Sequence, residues 1–503
     1  MMITNVAQYL DETVNKFPDK IAFVDSKRSI TFETLKIEAD KVATEICNGG
    51  YRKEPIIVFL EKSVEVVSTF LGIIKSGNFY SPIDVNMPVA RIEKIIDTLQ
   101  PKVIITDRKN SKIANEFAKG VPVLEYETCM ETNVDYGLLS DANDKILDSD
   151  LAYVLFTSGS TGIPKGVMIS EKGLIDFVEW ATDYFKINED FIFGNQTPFY
   201  FSFSIYEIYL TIKNAATTFI IPHELFSYPG ELMNYLFEHS INTIIWVPSA
   251  LCMISTFRAL KAPYLPELKR VLFGAEVMPA KQLNRWISAY PNVEFYNLFG
   301  PTEVTDTCSA YKIERQINDN EAIPIGISCQ NKEMLLLNED DELVTGDEVG
   351  EICVRGSGMA YGYYNDEQRT KEVFVQNPLN NRYSEIIYRT GDLARYNELG
   401  ELIYVSRKDF QIKHMGQRIE LGEIETAIAS IDGVERCCCL YDSKKSRIFM
   451  FYLGQIESTE LIEKLRNIVP HYMVPNRSIK LEEMPFNLNG KIDRVKLKSE
   501  YID

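Results

Sequence analysis

Short apolar runs alternate along this chain with longer stretches whose apolar residues recur at helical spacing. The runs Ile56–Leu60, Lys102–Thr106, Leu151–Phe156, Asn242–Val247, Arg270–Phe273 and Val293–Tyr296 predict strands, and Val64–Lys75 predicts a buried helix among them. That alternation implies a layered α/β fold with mostly parallel strands, in which ligands bind beyond the carboxyl ends of the strands. Towards the C-terminus the pattern changes. Helices are expected over Gly422–Ile431 and Thr459–Val469, mixed with strands over Gln411–His414 and Arg447–Leu453.

One strand leads directly into chemistry. Tyr153-Val-Leu-Phe-Thr-Ser-Gly-Ser-Thr-Gly-Ile-Pro-Lys-Gly166 passes from an apolar run into a loop of three glycines, four hydroxyls and one lysine. Glycines let backbone N–H groups close around phosphate oxygens, Thr157, Ser158, Ser160 and Thr161 add hydroxyl donors, and Lys165 supplies a compact positive charge. A flexible Ser/Gly linker would neither follow a buried-looking strand nor end in Pro-Lys-Gly. The run from Gly159 to Gly166 also lacks the Gly-Lys-Ser/Thr ending of a Walker A loop, which sets aside kinases and P-loop NTPases.

Residues 155–166 resemble the phosphate-loop signature of the adenylate-forming superfamily, which includes acyl-CoA synthetases, luciferases and nonribosomal peptide adenylation domains. Similar motifs follow the family's order at Ile30–Leu35, Lys75–Asp84, Asn297–Glu303, Gly350–Gly356, Tyr388–Asp392, Gln411–Glu425 and Asn489–Arg494. The overall pattern resembles that of free-standing ligases that load D-alanine onto a carrier protein. The resemblance implies a large multi-layer domain over residues 1–408 and a small mobile α+β domain over 409–503. Their hinge would be Asp409, just after Ser406-Arg407-Lys408, where serine replaces the family's usual glycine.

The implied chemistry is carboxylate activation with ATP and Mg2+: an acid attacks the α-phosphorus, pyrophosphate leaves, and a thiol then captures the acyl-adenylate. By the same resemblance Thr157, Ser158, Gly159, Ser160, Thr161, Gly162 and Lys165 hold the phosphates, with Thr161, Lys165 and Lys491 catalytic. Gly274, Ala275, Glu276, Asn297, Phe299, Gly300, Pro301, Thr302 and Tyr404 surround the nucleotide, Phe299 stacking on adenine and Asn297 bonding its edge. Asp392, assisted by Arg407, accepts from the ribose, and Glu303 is the magnesium ligand. Lys491 bridges the substrate carboxylate and the α-phosphate. Read singly, Phe299 suits a core, Glu303 and Asp392 suit a surface, and Lys491 suits an exposed turn; together, in motif order, they suit a site.

Phe201, Ser202, Phe203, Tyr206, Ile245, Leu272, Gly274, Leu298, Asp306, Thr307 and Lys491 are the implied lining of the acid pocket. Family members that take α-amino acids carry aspartate where this chain has Ser202. A buried ammonium without a counter-charge costs several kcal/mol, so an ordinary α-amino acid is not expected. Gly274 stands where the D-alanine ligases have cysteine and suggests more room. Asp306 offers a carboxylate to an amine or hydroxyl away from the α-carbon, or else caps backbone at the surface.

The thiol acceptor is expected in trans, because the chain ends shortly after Arg494. Arg418–Glu425 resembles the branch that loads carrier proteins, which favours a separate carrier with a phosphopantetheine arm; coenzyme A is the alternative. A non-catalytic adenylate-binding protein is a third reading, opposed by Lys165, Glu303, Asp392 and Lys491.

Composition narrows the partners. At 503 residues the chain exceeds one hydrophobic core, and 45% hydrophobic against 25% charged residues marks a globular protein. A net charge of −19 disfavours nucleic acid and anionic lipid surfaces. Nine cysteines without paired spacing suit reduced thiols in the cytoplasm, and adjacent strand positions keep Cys437, Cys438 and Cys439 from forming a chelate. Met1–Thr13 lacks the basic start and apolar core of a signal peptide, and no run is long enough to span a bilayer.

Overall fold

The computed structural model describes residues 3–159, 163–257, 259–260, 265–409, 411–485 and 492–502. The chain divides into two compact units: Met1–Val85, Leu99–Leu155 and Gly166–Lys408 form the first, while Asn86–Thr98, Phe156–Lys165 and Asp409–Asp503 form the second.

Two large sheets dominate the first unit. One has nine strands, ordered Ile327–Ser328, Ser309–Lys312, Glu294–Phe299, Arg270–Gly274, Thr243–Trp246, Ile192–Asn195, Thr217–Ile220, Ile21–Val24 and Ser29–Thr31. Its central pairs are parallel and its outermost pairs antiparallel. The other has six, ordered Val123–Glu125, Val103–Thr106, Pro55–Phe59, Phe79–Pro82, Leu151–Thr157 and Lys165–Ser170. Every residue of Pro55–Phe59 is buried, as a parallel strand covered on both faces requires. A five-stranded antiparallel sheet contains Gly350–Gly356, Ile386–Tyr396 and Leu402–Arg407. The helix Val64–Lys75 is buried along its whole length except at Glu65. Gly72 lets it approach the helix Phe32–Asn48, since a Cβ there would lie 2.6 Å from that of Val42.

The expected strands are all present, with ends displaced by at most three residues. Glu294–Phe299 runs past Tyr296 because Phe299 still pairs with Ser309 across an antiparallel edge, a continuation that polar Asn297 hides in the sequence.

In the second unit the hairpin Gln411–His414 and Gln417–Glu420 precedes the helix Leu421–Ala429 and a three-stranded sheet of Val434–Asp442, Arg447–Gly454 and Arg477–Lys480. Cys438 and Cys439 belong to different apolar clusters, as opposite faces of one strand demand, and all nine cysteines are free. Arg91 and Glu423 form a buried ion pair here. The Ser158 hydroxyl donates to the Arg418 carbonyl and accepts from the Glu420 amide (3.2 Å).

Glu171 opens the helix Glu171–Phe185 in the first unit, is 1% exposed and accepts the Val6 amide at 2.9 Å. Burial, with Asp150 adding to it, pushes its carboxyl up to about 8. The native state therefore holds a proton that the unfolded chain releases near 4.5, so the stability gained is complete below that value and is lost as pH rises through about 8. We predict that the urea midpoint of the wild type falls relative to that of Glu171→Gln between about pH 5 and about pH 8.5. A difference independent of pH contradicts this.

Candidate active site

Strand register puts the expected acid-pocket residues on one face of the nine-stranded sheet. Ile245 pairs with Leu272, and two residues on, Gly274 pairs with Leu298. Since alternate residues share a face, Leu272 and Gly274 point the same way, while Val271 and Phe273 join the core behind. Phe203, from the 3-10 turn Ser202–Ser204, and Tyr206, from the start of the helix Ile205–Asn214, complete an apolar group with Leu272, Leu298 and Ile245. A Cβ at Gly274 would lie 2.8 Å from the Leu298 carbonyl oxygen and 3.3 Å from the Phe203 ring, so a side chain at this position would crowd both. Phe201, half-buried, packs at the edge of both neighbouring clusters.

Polar groups converge on Asp306, which is only 6% exposed. Ser202 Oγ donates to Asp306 Oδ1 at 2.8 Å, and Thr307 Oγ1 donates to Oδ2 at 2.9 Å. Tyr206 in turn donates to Thr307 Oγ1 at 2.8 Å. Since Ser202 has one proton to give, its 3.3 Å contact with Thr302 makes Thr302 the donor. Two chains of hydroxyls therefore end on one carboxylate, which suits an ionised group whose burial would otherwise be costly. Burial and the Asp306 charge push the Tyr206 phenol far up, so it remains a donor. The Asp306 side chain is buried beside Ser202 and not at the surface.

The expected nucleotide residues of the first unit fall into distinct environments. Asp392 is 1% exposed, lies opposite Arg407 in the antiparallel pair and accepts from its guanidinium at 3.0 Å. Phe299 is buried, with the Tyr404 ring 6.4 Å away, and Asn297 donates to the Pro324 carbonyl at 2.8 Å. Gly300, Pro301 and Thr302 lead into a turn of 3-10 helix over Thr302–Val304. Glu276 accepts the Ser249 amide at 2.8 Å, close to the start of the helix Pro248–Thr256, a structural use that the sequence did not suggest; Ala275 before it has φ +68°. In the second unit, Lys165 is buried, Ser158 is engaged as described, and the buried Thr157 hydroxyl has no hydrogen-bond partner among the described residues. Ser160, Thr161, Gly162 and Lys491 lie outside the described residues.

In the second unit the Thr157 hydroxyl at the end of its strand suits a phosphate, and in the first unit the buried Asp392 paired with Arg407 suits a ribose. Glu303 fits Mg2+. It is fully buried, its Oε1 accepts from Tyr363 at 2.8 Å, and no group of three or more His, Cys, Asp or Glu gathers among the described residues. Mg2+ characteristically takes one or two carboxylates and draws its other ligands from phosphates and water.

One polar cluster beside the pocket escaped sequence reasoning. Glu207, next to Tyr206, is wholly buried, with Asn195 and Lys62 beside its carboxyl group. Burial pushes it up to about 8, while Lys62, whose ammonium donates to the Asn195 and Gln196 carbonyls, is pushed down to about 7 by the same cause. An acid in a helix and a lysine far away in the chain look like surface charges until the fold brings them together.

Comparison with known proteins places these residues in a family context. A family profile described as AMP-binding enzyme matches residues 10–364. Zwittermicin A synthase ZmaJ of Bacillus cereus is 30% identical, over 98% of this chain and 94% of that protein. The D-alanine–D-alanyl carrier protein ligase of Bacillus licheniformis is also 30% identical, over 98% of this chain and 99% of its own. Among solved structures, holo-PA1221, an NRPS protein containing adenylation and PCP domains, superposes with a TM-score of 0.85 at 23% identity, over 99% of this chain and 84% of that one. The α/β fold is therefore that of adenylate-forming enzymes. No described helix is long and apolar enough to cross a membrane.

Gly300 tests the loop that presents Asp306. A Cβ at this position would lie 2.0 Å from the Asp306 carbonyl oxygen and 2.7 Å from the Cys308 nitrogen, both backbone atoms. We predict that Gly300→Ala lowers stability by about 1–3 kcal/mol, as overpacking does, measured by thermal denaturation. An unchanged melting temperature contradicts the close approach.

Proposed function

The chain belongs to the AMP-binding enzyme family, and from that premise we propose its particular reaction. It activates a small carboxylic acid with ATP, releasing pyrophosphate, and passes the acyl group to the phosphopantetheine thiol of a separate carrier protein. The acid lacks an α-ammonium or carries its amine or hydroxyl away from the α-carbon. One observation carries this reading: the buried Asp306 carboxylate bonded to Ser202, the residue that stands where α-amino-acid members carry aspartate. The negative charge is still in the pocket, but it approaches from the loop after Glu303 instead of from the segment before Ile205. A cationic or hydroxyl group that meets it is displaced accordingly.

The remaining roles follow from charge and position. Asp392, steadied by Arg407, accepts from the ribose hydroxyls, and Glu303 takes Mg2+, which when bound neutralises phosphate charge. Lys165 and the Thr157 hydroxyl face the phosphates. Lys491 adds a mobile point charge at the reacting carboxylate and α-phosphate. The change of compact unit between Lys408 and Asp409 supports Asp409 as the hinge about which residues 409–503 move. The relative named as a D-alanine–D-alanyl carrier protein ligase supports a carrier over coenzyme A as the acceptor.

ATP–pyrophosphate exchange across a panel of acids tests the reading. We predict that small β-amino, hydroxy or aryl acids exceed D-alanine. Asp306→Asn should raise KM for an amine-bearing acid roughly tenfold to a hundredfold, the range for a lost charged hydrogen bond of about 1.5–3 kcal/mol, and leave that of a wholly apolar acid near its original value. Preference for D-alanine, or an equal effect on both acids, contradicts it. Lys491→Ala should lose exchange by several kcal/mol of transition-state stabilisation while retaining ATP binding; near-normal exchange removes that lysine from the mechanism.

A further inference from the structure

The loop bearing Asp306 is held from behind by a lysine that the proposed chemistry does not use. Lys332 begins the strand Lys332–Leu337 and is 7% exposed. Its ammonium donates to three carbonyls of a single turn, those of Val304 (2.8 Å), Thr305 (3.4 Å) and Thr307 (2.6 Å). It lies 5.8 Å from the centre of the Phe177 ring and forms no ion pair among the described residues. Its stem passes over Gly358, where a Cβ would lie 2.4 Å from Lys332 Cε, so the lysine is built into the packing.

The turn it grips has an unusual backbone. Thr305 and Asp306 both adopt positive φ, +53° and +67°, a region that β-branched threonine enters only when its surroundings compel it. Carbonyl oxygens of Val304, Thr305 and Thr307 converge there, and without a cation between them their dipoles repel. Thr305 adds one further tie, donating to the Gly358 carbonyl at 2.6 Å. The orientation of the Asp306 side chain depends on those two left-handed residues.

We propose that Lys332 is a positioning residue for the acid pocket. Its ammonium gathers the three carbonyls, stabilises the left-handed turn at Thr305 and Asp306, and so directs the Asp306 carboxylate to Ser202. The catalytic consequence rests on Asp306 receiving the substrate's polar group, as proposed above; the restraint on the loop does not.

Lys332→Met keeps the stem and removes the charge. In the full-length protein, hydrogen–deuterium exchange over Thr302–Cys308 is expected to quicken at least tenfold while other loops of the first unit keep their rates. Unchanged exchange over that turn overturns the proposal. Should Lys332→Met fail to fold, Lys332→Gln serves with the same readout. In pyrophosphate exchange Lys332→Met raises KM tenfold or more for the amine- or hydroxyl-bearing acid, leaves KM for ATP unchanged, and has no further effect in an Asp306→Asn background. An equal rise in both backgrounds makes Lys332 a general support of the fold and overturns the proposal. If Asp306→Asn changes no KM while the turn still loosens in Lys332→Met, the role given to Asp306 fails and the restraint by Lys332 stands.

Discussion

Asp306 is buried, and hydrogen bonds from Ser202 and Thr307 compensate for the water it loses. Much of the surrounding structure follows from that requirement. The helix Ile205–Asn214 contributes Tyr206, which fixes Thr307; the turn after Glu303 takes two left-handed residues; and Gly300 lies so close beneath the turn that no side chain fits. The parallel strands supply the rigid floor. Their register aligns Ile245, Leu272, Gly274 and Leu298 along one face, and placement on strands holds such side chains more firmly than loops do.

The general architecture was legible because its signals are local. A continuous apolar run announces a covered strand, and Gly-rich punctuation after Leu151–Phe156 announces a phosphate loop. The resemblance assigns Asp392 and Arg407 to the same ribose, and strand pairing sets them directly opposite one another. Features that depend on distant segments were not legible. Nothing in the sequence near Lys332 distinguishes it from an exposed strand lysine, and Glu207 and Lys62 are separated by well over a hundred residues. Gly274 shows the limit most clearly. Losing a side chain suggests space, but the sequence does not show how near the Leu298 carbonyl and the Phe203 ring come, 2.8 Å and 3.3 Å from where a Cβ would lie.

On the proposed reading, this chain keeps its family's nucleotide residues and rearranges its acid pocket. Glu303, Asp392, Arg407 and Lys165 are the residue types that phosphate, ribose and Mg2+ demand, and those demands do not vary with the acid. The pocket faces no such constancy. On that reading, moving a carboxylate from one wall to another changes where a substrate must place its own polar group, which is a route to new specificity without a new fold.

The most direct test is a crystal structure of the protein bound to a non-hydrolysable acyl-adenosine analogue of the acid it prefers in pyrophosphate exchange. The account predicts an amine or hydroxyl of the acyl group within hydrogen-bonding distance of the Asp306 carboxylate, with Ser202 still donating to the same side chain. An acyl group whose polar atoms engage other residues, while Asp306 contacts only Ser202 and Thr307, would contradict it.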